Sequence, residues 1–207
     1  KGKKLQVIRK WDDGTVNAYA QQTGNVWKIS MFGGLARHNT ITADAFAMVA
    51  CHELGHHLGG SPKKKSFWSA SWASNEGQSD YWGAMKCMRD FIETDDNVKI
   101  MKDVSVPSYA VEKCAAVYGQ SITANAACQR VAMAGLSLGN LFRALRDLET
   151  PLKFDTPDAN TVRRTSDSHP APQCRLDTYF HGGLCDKGSE DTVSDTDPYV
   201  GTCARID

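Results

Sequence analysis

The sequence lacks an excess of charge of either sign. Its 24 lysine and arginine residues are balanced by 24 aspartate and glutamate residues, so the formal net charge is zero. This balance argues against a protein that is held on nucleic acid or on an anionic membrane by bulk charge. We therefore expect no nucleic-acid partner.

Long hydrophobic runs are also missing. The best candidate, AFAMVAC at 45–51, is far shorter than the roughly 20 apolar residues that a membrane-spanning helix needs. We expect no transmembrane segment, and we expect a monomer. The chain does not begin with methionine, which would be explained by removal of a signal peptide during export.

The sequence has no CxxC spacing, which excludes a cysteine zinc knuckle and a thioredoxin-like motif. It nevertheless contains seven cysteines, four of them beyond residue 125. Such a count favours disulfides and an oxidising compartment, so we expect a periplasmic or secreted protein. The odd number leaves at least one thiol unpaired, and we expect it to be Cys51, which lies in an apolar helical stretch.

The pattern of strands and helices predicts an α+β fold in a single domain. Three strand-like segments, separated by the turns Asp-Asp-Gly and Gln-Thr-Gly, predict a small antiparallel meander within residues 1–39; they are 4–11, 15–21 and 25–32. A mainly helical body over 40–150 follows. The composition then shifts to Pro, Asp, Ser, Thr and Gly, which predicts a loop-rich tail over 151–207 that cysteines hold in place.

The first helix of the body has clear ends. Thr40 or Thr42 can cap it, no breaker interrupts 43–58, and Gly-Gly-Ser-Pro follows at 59–62. Three further helices are predicted, at about 75–93, 108–118 and 124–148.

The first helix carries the pattern HExxH. His52 and His56 are four residues apart, so both imidazoles share one helical face and can reach one cation. Glu53 directly follows His52 and so occupies the next position around the helix. From there it can take a proton from a water molecule bound to that cation. Zinc suits this set of ligands and this chemistry. The alternative is a chance match, and we interpret the extra His57 as a packing or solvent-exposed residue rather than a ligand.

A catalytic zinc site needs a third protein ligand. The metzincin extension HxxGxxH is absent after His56, where the sequence reads HLGGSPKKK. The segment Asn75-Glu76-Gly77-Gln78-Ser79-Asp80 offers carboxylates at i and i+4 of a helix instead. Glu76 can bind the metal while Asp80 holds the outer nitrogen of a ligand histidine.

HExxH followed by NExxSD resembles the gluzincin metallopeptidases, and in particular their thermolysin-like members. The resemblance implies zinc as cofactor, with His52, His56 and Glu76 as ligands. It implies that Glu53 is the general base. It also implies that Asp80 and Asn75 hold the ligand residues in place without binding the metal themselves.

A downstream segment, Ser168-His169-Pro170 through Arg175, resembles the SxHPxxxxR motif of the HtpX-like gluzincin peptidases. That resemblance implies that His169 donates to the developing oxyanion and that Arg175 orients a ligand or a substrate carbonyl. Tyr179 is a weaker candidate for the same task.

The sequence therefore predicts a zinc-dependent endopeptidase acting on peptide or protein substrates. Gluzincins commonly bind peptide along an edge strand of the N-terminal sheet, and NVWKISMF at 25–32 is the expected edge. Trp68, Trp72 and Trp82 can wall a specificity pocket or belong to the core. Two alternatives stay open: a non-catalytic, zinc-holding binding or chaperone module of the same fold, and a zinc amidase acting on cell-wall peptides.

Overall fold

A computed structural model describes residues 2–65, 71–160, 167–188 and 190–203. The three N-terminal strands are β1 (Lys4–Lys10), β2 (Ala18–Thr23) and β3 (Val26–Phe32). Helices follow, so the α+β class is confirmed. They are α1 (Gly33–Ala36), α2 (Ala43–Leu58), α3 (Glu76–Trp82), α4 (Met88–Phe91), α5 (Asn97–Met101), α6 (Ser108–Tyr118), α7 (Ile122–Leu145) and α8 (Pro172–Leu184).

The sheet has the order β1-β3-β2, with β1 parallel and β2 antiparallel to β3. The predicted meander is therefore wrong for β1, and the prediction that 25–32 forms an edge is wrong too. The last four residues of β3 are all buried, whereas most of β1 is exposed. A strand buried on both faces belongs in the middle of a sheet, so β3 takes the centre and leaves β1 and β2 as the edges.

Local signals predict several helices closely. The predicted bounds 43–58 and 108–118 are those of α2 and α6, while α7 lies within two to three residues of the predicted 124–148. The predicted helix at 75–93 is formed by α3, a π-helical turn (Gly83–Cys87) and α4 in succession.

The tail contains a helix, α8, that the prediction of loops missed. Two signals favour it: Pro172 occupies the first helical turn, and the buried residues Leu176, Tyr179, Phe180 and Gly183 recur at helical spacing. The surrounding Pro, Asp and Ser residues outweigh those signals when composition alone is considered. This helix packs against α3, the π-helical turn and α7.

The core lies mostly around α2, which packs against the sheet on one side and against α3, the π-helical turn and α7 on the other. Burial of large apolar side chains between these elements stabilises the arrangement. The main cluster includes Met31, Leu35, Met48, Val49, Met88, Ile92, Val131, Leu138, Leu141 and Tyr179.

Three disulfides link the described residues: Cys51–Cys87, Cys114–Cys128 and Cys185–Cys203. The free thiol is Cys174, so the prediction that Cys51 is unpaired is wrong. Cys51 lies on the side of α2 that contacts the π-helical turn, and this contact brings Cys87 within a Cα–Cα distance of 5.5 Å. Sequence separation gave no indication of that contact.

The described part of the chain holds no helix with both the length and the apolar character that crossing a membrane requires.

Candidate metal centre

Helix α2 presents His52 and His56 side by side. Its first turn is capped by Thr42, whose side-chain oxygen accepts a hydrogen bond from the backbone N–H of Ala45. The two imidazole rings have centroids 4.8 Å apart, and both residues are buried. The spacing of four residues therefore produces the shared face that the sequence predicts.

Helix α3 brings Glu76 to this face. Oδ1 of Asn75 accepts a hydrogen bond of 2.8 Å from the backbone N–H of Gln78 and so caps the helix that begins at Glu76. Asn75 therefore acts at the start of α3, directly before Glu76. The two helices approach closely at Gly55, where a Cβ atom would lie 2.8 Å from the carbonyl oxygen of Ser79.

Three nitrogen and oxygen ligand atoms converge between these helices. Oε2 of Glu76 lies 3.3 Å from Nε2 of His52 and 3.8 Å from Nε2 of His56. This oxygen is buried and has no hydrogen-bond partner among the described residues. A tetrahedral ion with ligands at about 2 Å separates its ligands by about 3.3 Å, so the set fits a metal ion. The group His52, His56 and Glu76 could therefore hold one.

Polar contacts on the far side of each ring leave the Nε2 atoms facing the centre. Nδ1 of His56 lies 2.9 Å from the carbonyl oxygen of Ser74 and 3.0 Å from Oγ of Ser79. Because a carbonyl only accepts, Nδ1 of His56 carries the proton, and Nε2 keeps its lone pair for a cation. Burial, together with the neighbouring His52, lowers the pKa of His56 to about 4, so this ring stays neutral.

His52 is oriented by a buried charged network. Its Nδ1 lies 2.6 Å from Oδ1 of Asp80, which is fully buried. Burial alone would raise the pKa of Asp80, but the charges of Arg175 and His52 hold that pKa well below its usual range. Asp80 is therefore an ionised carboxylate, as the predicted supporting role requires.

Arg175 contacts Asp80, the carboxylate that lies beside the ligand candidate His52. Its Nε and Nη2 donate to the two oxygens of Asp80 at 2.8 and 2.7 Å, and the residue is buried. The hydroxyl of Tyr179 also donates to Asp80, at 2.5 Å. Arg175 and Tyr179 therefore hold Asp80, and through it His52, while both residues also line the cavity beside the centre. Arg175 is a positioning residue.

Glu53 borders a cavity of about 120 Å³ beside the centre. One part of its lining is polar, and the rest is a largely apolar wall. The polar residues are Asn17, His52, Glu53, His169, Arg175 and Tyr179, and the wall consists of Val16, Ala18, Leu35, Val49, Leu141, Phe142 and Leu145. Burial raises the pKa of Glu53. A carboxylate whose pKa is raised toward neutrality is a better proton acceptor in a catalytic site.

His169 reaches the centre from the chain that precedes α8. Its Nε2 lies 3.3 Å from Oε2 of Glu76, although its side chain is 62% exposed. Contacts on both sides hold this segment: Oδ2 of Asp167 accepts from the backbone N–H of Lys65, and the carbonyl oxygen of Pro170 accepts from Arg146. His169 thus lies at the solvent-facing side of the site.

The remaining aromatic candidates pack. His57 is stacked between Trp27 and Trp72, with ring centroids 5.2 and 4.6 Å away, which confirms its interpretation as a packing residue. Trp82 packs against the small buried cluster around Tyr81. Trp68 lies outside the described residues.

Ser74, Ser79 and Lys64 are site residues that the sequence did not predict. Nζ of Lys64 donates to Oε1 of Glu76 at 2.6 Å. Ser74 directly precedes the NExxSD segment and Ser79 is its serine, which is a usable signal for contacts with a ligand histidine. Lys64 belongs to a lysine run that is typical of a solvated loop, so its sequence carries no such signal.

No protein-family model, curated protein or solved structure matches the chain significantly. Function must therefore be inferred from the residues of the centre and the cavity.

Proposed function

We propose that this chain is an exported zinc-dependent endopeptidase of the gluzincin type. The observation that carries the proposal is the position of Glu53: a buried carboxylate borders the same cavity as His52, one of the three residues of the metal centre. A purely structural metal site has no use for a proton acceptor beside it. Two imidazoles and one carboxylate are a ligand set typical of catalytic zinc.

A bound zinc ion supplies Lewis acidity, which polarises a carbonyl group and makes water nucleophilic near neutral pH. The chain's own residues handle the protons. Glu53 takes a proton from the attacking water and returns it to the departing amine, which its raised pKa favours.

His169 is the proposed donor to the oxyanion. It lies beside the centre yet remains exposed to solvent, so its ring can meet a bound substrate. A donor aimed at developing negative charge contributes strongly when it is held in place before the reaction. The contacts of Asp167 and Pro170 described above supply that restraint.

The free edge of β2 is the proposed site for the peptide backbone, in place of β3. Val16, Asn17 and Ala18 line the cavity with His52 and Glu53, and among the described residues β2 pairs with β3 on one side only. An extended peptide can add to such an edge through main-chain hydrogen bonds, with little demand on its sequence.

Export is supported by the three disulfides, which persist in oxidising compartments such as the periplasm or the extracellular space.

The test is cleavage of casein by zinc-loaded protein and by its Glu53→Gln variant, with zinc content measured in both. We expect cleavage by the parent and its loss in the variant, while zinc stays bound. Glu112→Gln, which changes an exposed glutamate on α6, is the matched control and should cleave like the parent.

Bound zinc without cleavage of casein would contradict the peptidase proposal. Release of peptides from cell-wall material by that same protein would instead favour an amidase.

A further inference from the structure

The two oxygens of Glu76 have different partners. Oε1 accepts a hydrogen bond of 2.6 Å from Nζ of Lys64, whereas Oε2 faces the imidazoles of the centre. The distance from Lys64 is short, as expected for a bond between an ammonium group and a carboxylate. The Glu76 side chain is 4% exposed and that of Lys64 is 33% exposed, so water competes weakly for this pair at the carboxylate.

Lys64 is held beside Glu76 by the backbone. Lys63 and Ser74 form an antiparallel bridge, and the backbone N–H of Lys64 donates to the carbonyl oxygen of Ala73 at 2.8 Å. The backbone N–H of Asn75 donates to the carbonyl oxygen of Pro62 at 3.0 Å. This short ladder ends one residue before Glu76, so the position of Lys64 follows from the same contacts that begin α3.

We propose that Lys64 is a positioning residue that restricts Glu76 to binding a metal through Oε2 alone. The inference rests on the proposed metal-binding function. The terminal torsion of a glutamate is broad, so nothing within the side chain fixes which oxygen faces the ion. The bond to Lys64 supplies that restriction, because rotation of the carboxylate would break a charge-assisted hydrogen bond.

The restriction determines how many positions at the ion stay available. With one oxygen from Glu76, the protein supplies three donor atoms, which is the number typical of a catalytic zinc site with an open position. With both oxygens, Glu76 would add a fourth donor and compete with water or substrate. Lys64 thereby keeps the ion accessible from the cavity that Glu53 borders.

Lys64→Met tests this role directly. Methionine has a similar length but cannot donate, so Oε1 would be left buried without a partner, at an appreciable energetic cost. We expect Oε1 to turn toward the ion instead. In Lys64→Arg a cationic donor is retained, and we expect binding through one oxygen to be restored. Lys63→Met and Lys65→Met are matched controls from the same run; Lys63 pairs with Asp195 rather than with Glu76.

The experiment first measures uptake of Co²⁺ by the parent, then compares visible absorption and X-ray absorption fine structure across the variants. We expect the parent and both controls to give the strong absorption of four-coordinate Co²⁺. Lys64→Met should lose much of that intensity and gain about one oxygen neighbour. Lys64→Arg should restore the parental spectrum.

Two outcomes would overturn the inference while leaving the metal site intact. One is binding through both oxygens in the parent; the other is an unchanged spectrum and neighbour count in Lys64→Met. The parental coordination is decisive even if Lys64→Met does not fold. Failure of the parent to take up Co²⁺ would overturn the metal-binding function itself and this inference with it, so the two failures are distinguishable.

Discussion

The carboxylate of Asp80 lies 2.6 Å from Nδ1 of His52, on the side of the ring opposite to the atom that faces Glu76. Asp80 is fully buried and its charge is balanced by Arg175. This contact determines which nitrogen of His52 is available to a metal ion, because the proton stays on the nitrogen that bonds Asp80.

Asp80→Asn should weaken metal binding. The amide preserves the shape of the side chain but removes the charge that holds His52, and such changes typically lower metal affinity by about 10- to 100-fold. The measurement is competition for zinc against a chromophoric chelator. The control is Asp177→Asn, a partly buried aspartate on α8 that bonds Gln173 and the backbone of Asp158. Equal loss of affinity in both variants would contradict the role given to Asp80.

Gly55→Ala should destabilise the protein and disturb the centre. Alanine is the better helix former, but its Cβ would lie 2.8 Å from the carbonyl oxygen of Ser79, which belongs to the backbone and cannot turn away. We expect a loss of about 1–3 kcal/mol in the free energy of unfolding, together with weaker metal binding.

Gly77→Ala is the matched control for that substitution. A Cβ at Gly77 in α3 meets no atom within 4 Å, so helix propensity alone should act. We expect a gain of up to about 1 kcal/mol. Denaturant unfolding of the three proteins measures both effects, and stabilisation by Gly55→Ala would show that α2 and α3 are not packed as closely as described.

The metal-free protein should lose stability as pH rises from 6.5 to 10. Burial opposes a charged His52, but the charge and hydrogen bond of Asp80 outweigh it and raise its pKa from 6.5 to about 10. A pKa raised by folding gives a contribution that is complete below the unfolded value and disappears as pH passes the folded value.

The measurement is thermal unfolding in chelator between those pH values. The decline should be smaller in His52→Gln, whereas His181→Gln, which changes an exposed histidine, should behave like the parent. Zinc-loaded protein should also show a smaller decline, because a metal-binding imidazole is neutral. A decline of equal size in the parent and in His52→Gln would refute the raised pKa.

The apolar wall of the cavity should determine which peptides are cleaved. We expect faster cleavage when an apolar side chain lies next to the scissile bond. Leu145 lines the cavity and is 54% exposed, so Leu145→Asp should fold and place a charge at this wall. Cleavage of such peptides should fall by about tenfold in kcat/KM.

Leu148→Asp is the control for Leu145→Asp. Leu148 is 45% exposed and does not line the cavity, so its substitution should leave peptide cleavage unchanged. Equal kcat/KM for Leu145→Asp and the parent would show that the substrate does not bind against this wall of the cavity.

Residues of the centre could be predicted from the sequence where their positions depend on neighbours within a few residues along the chain. The spacing of His52 and His56 and the helical caps at Thr42 and Asn75 act within a few residues, so the sequence determines them directly. The pairing of Cys51 with Cys87 and the bond between Lys64 and Glu76 depend on elements that meet only after folding.

The sequence by itself determined that two histidines share one face of α2, with a glutamate next to them in the chain, and that a carboxylate-bearing helix begins just after Asn75. Helix periodicity and capping are local properties of the chain, which is why this much was accessible. Only the tertiary structure decided that β3 occupies the centre of the sheet and that Arg175 binds Asp80. It also decided which oxygen of Glu76 faces the imidazoles. Each of these relationships depends on the burial of side chains from segments far apart in the chain, and no local pattern encodes such burial.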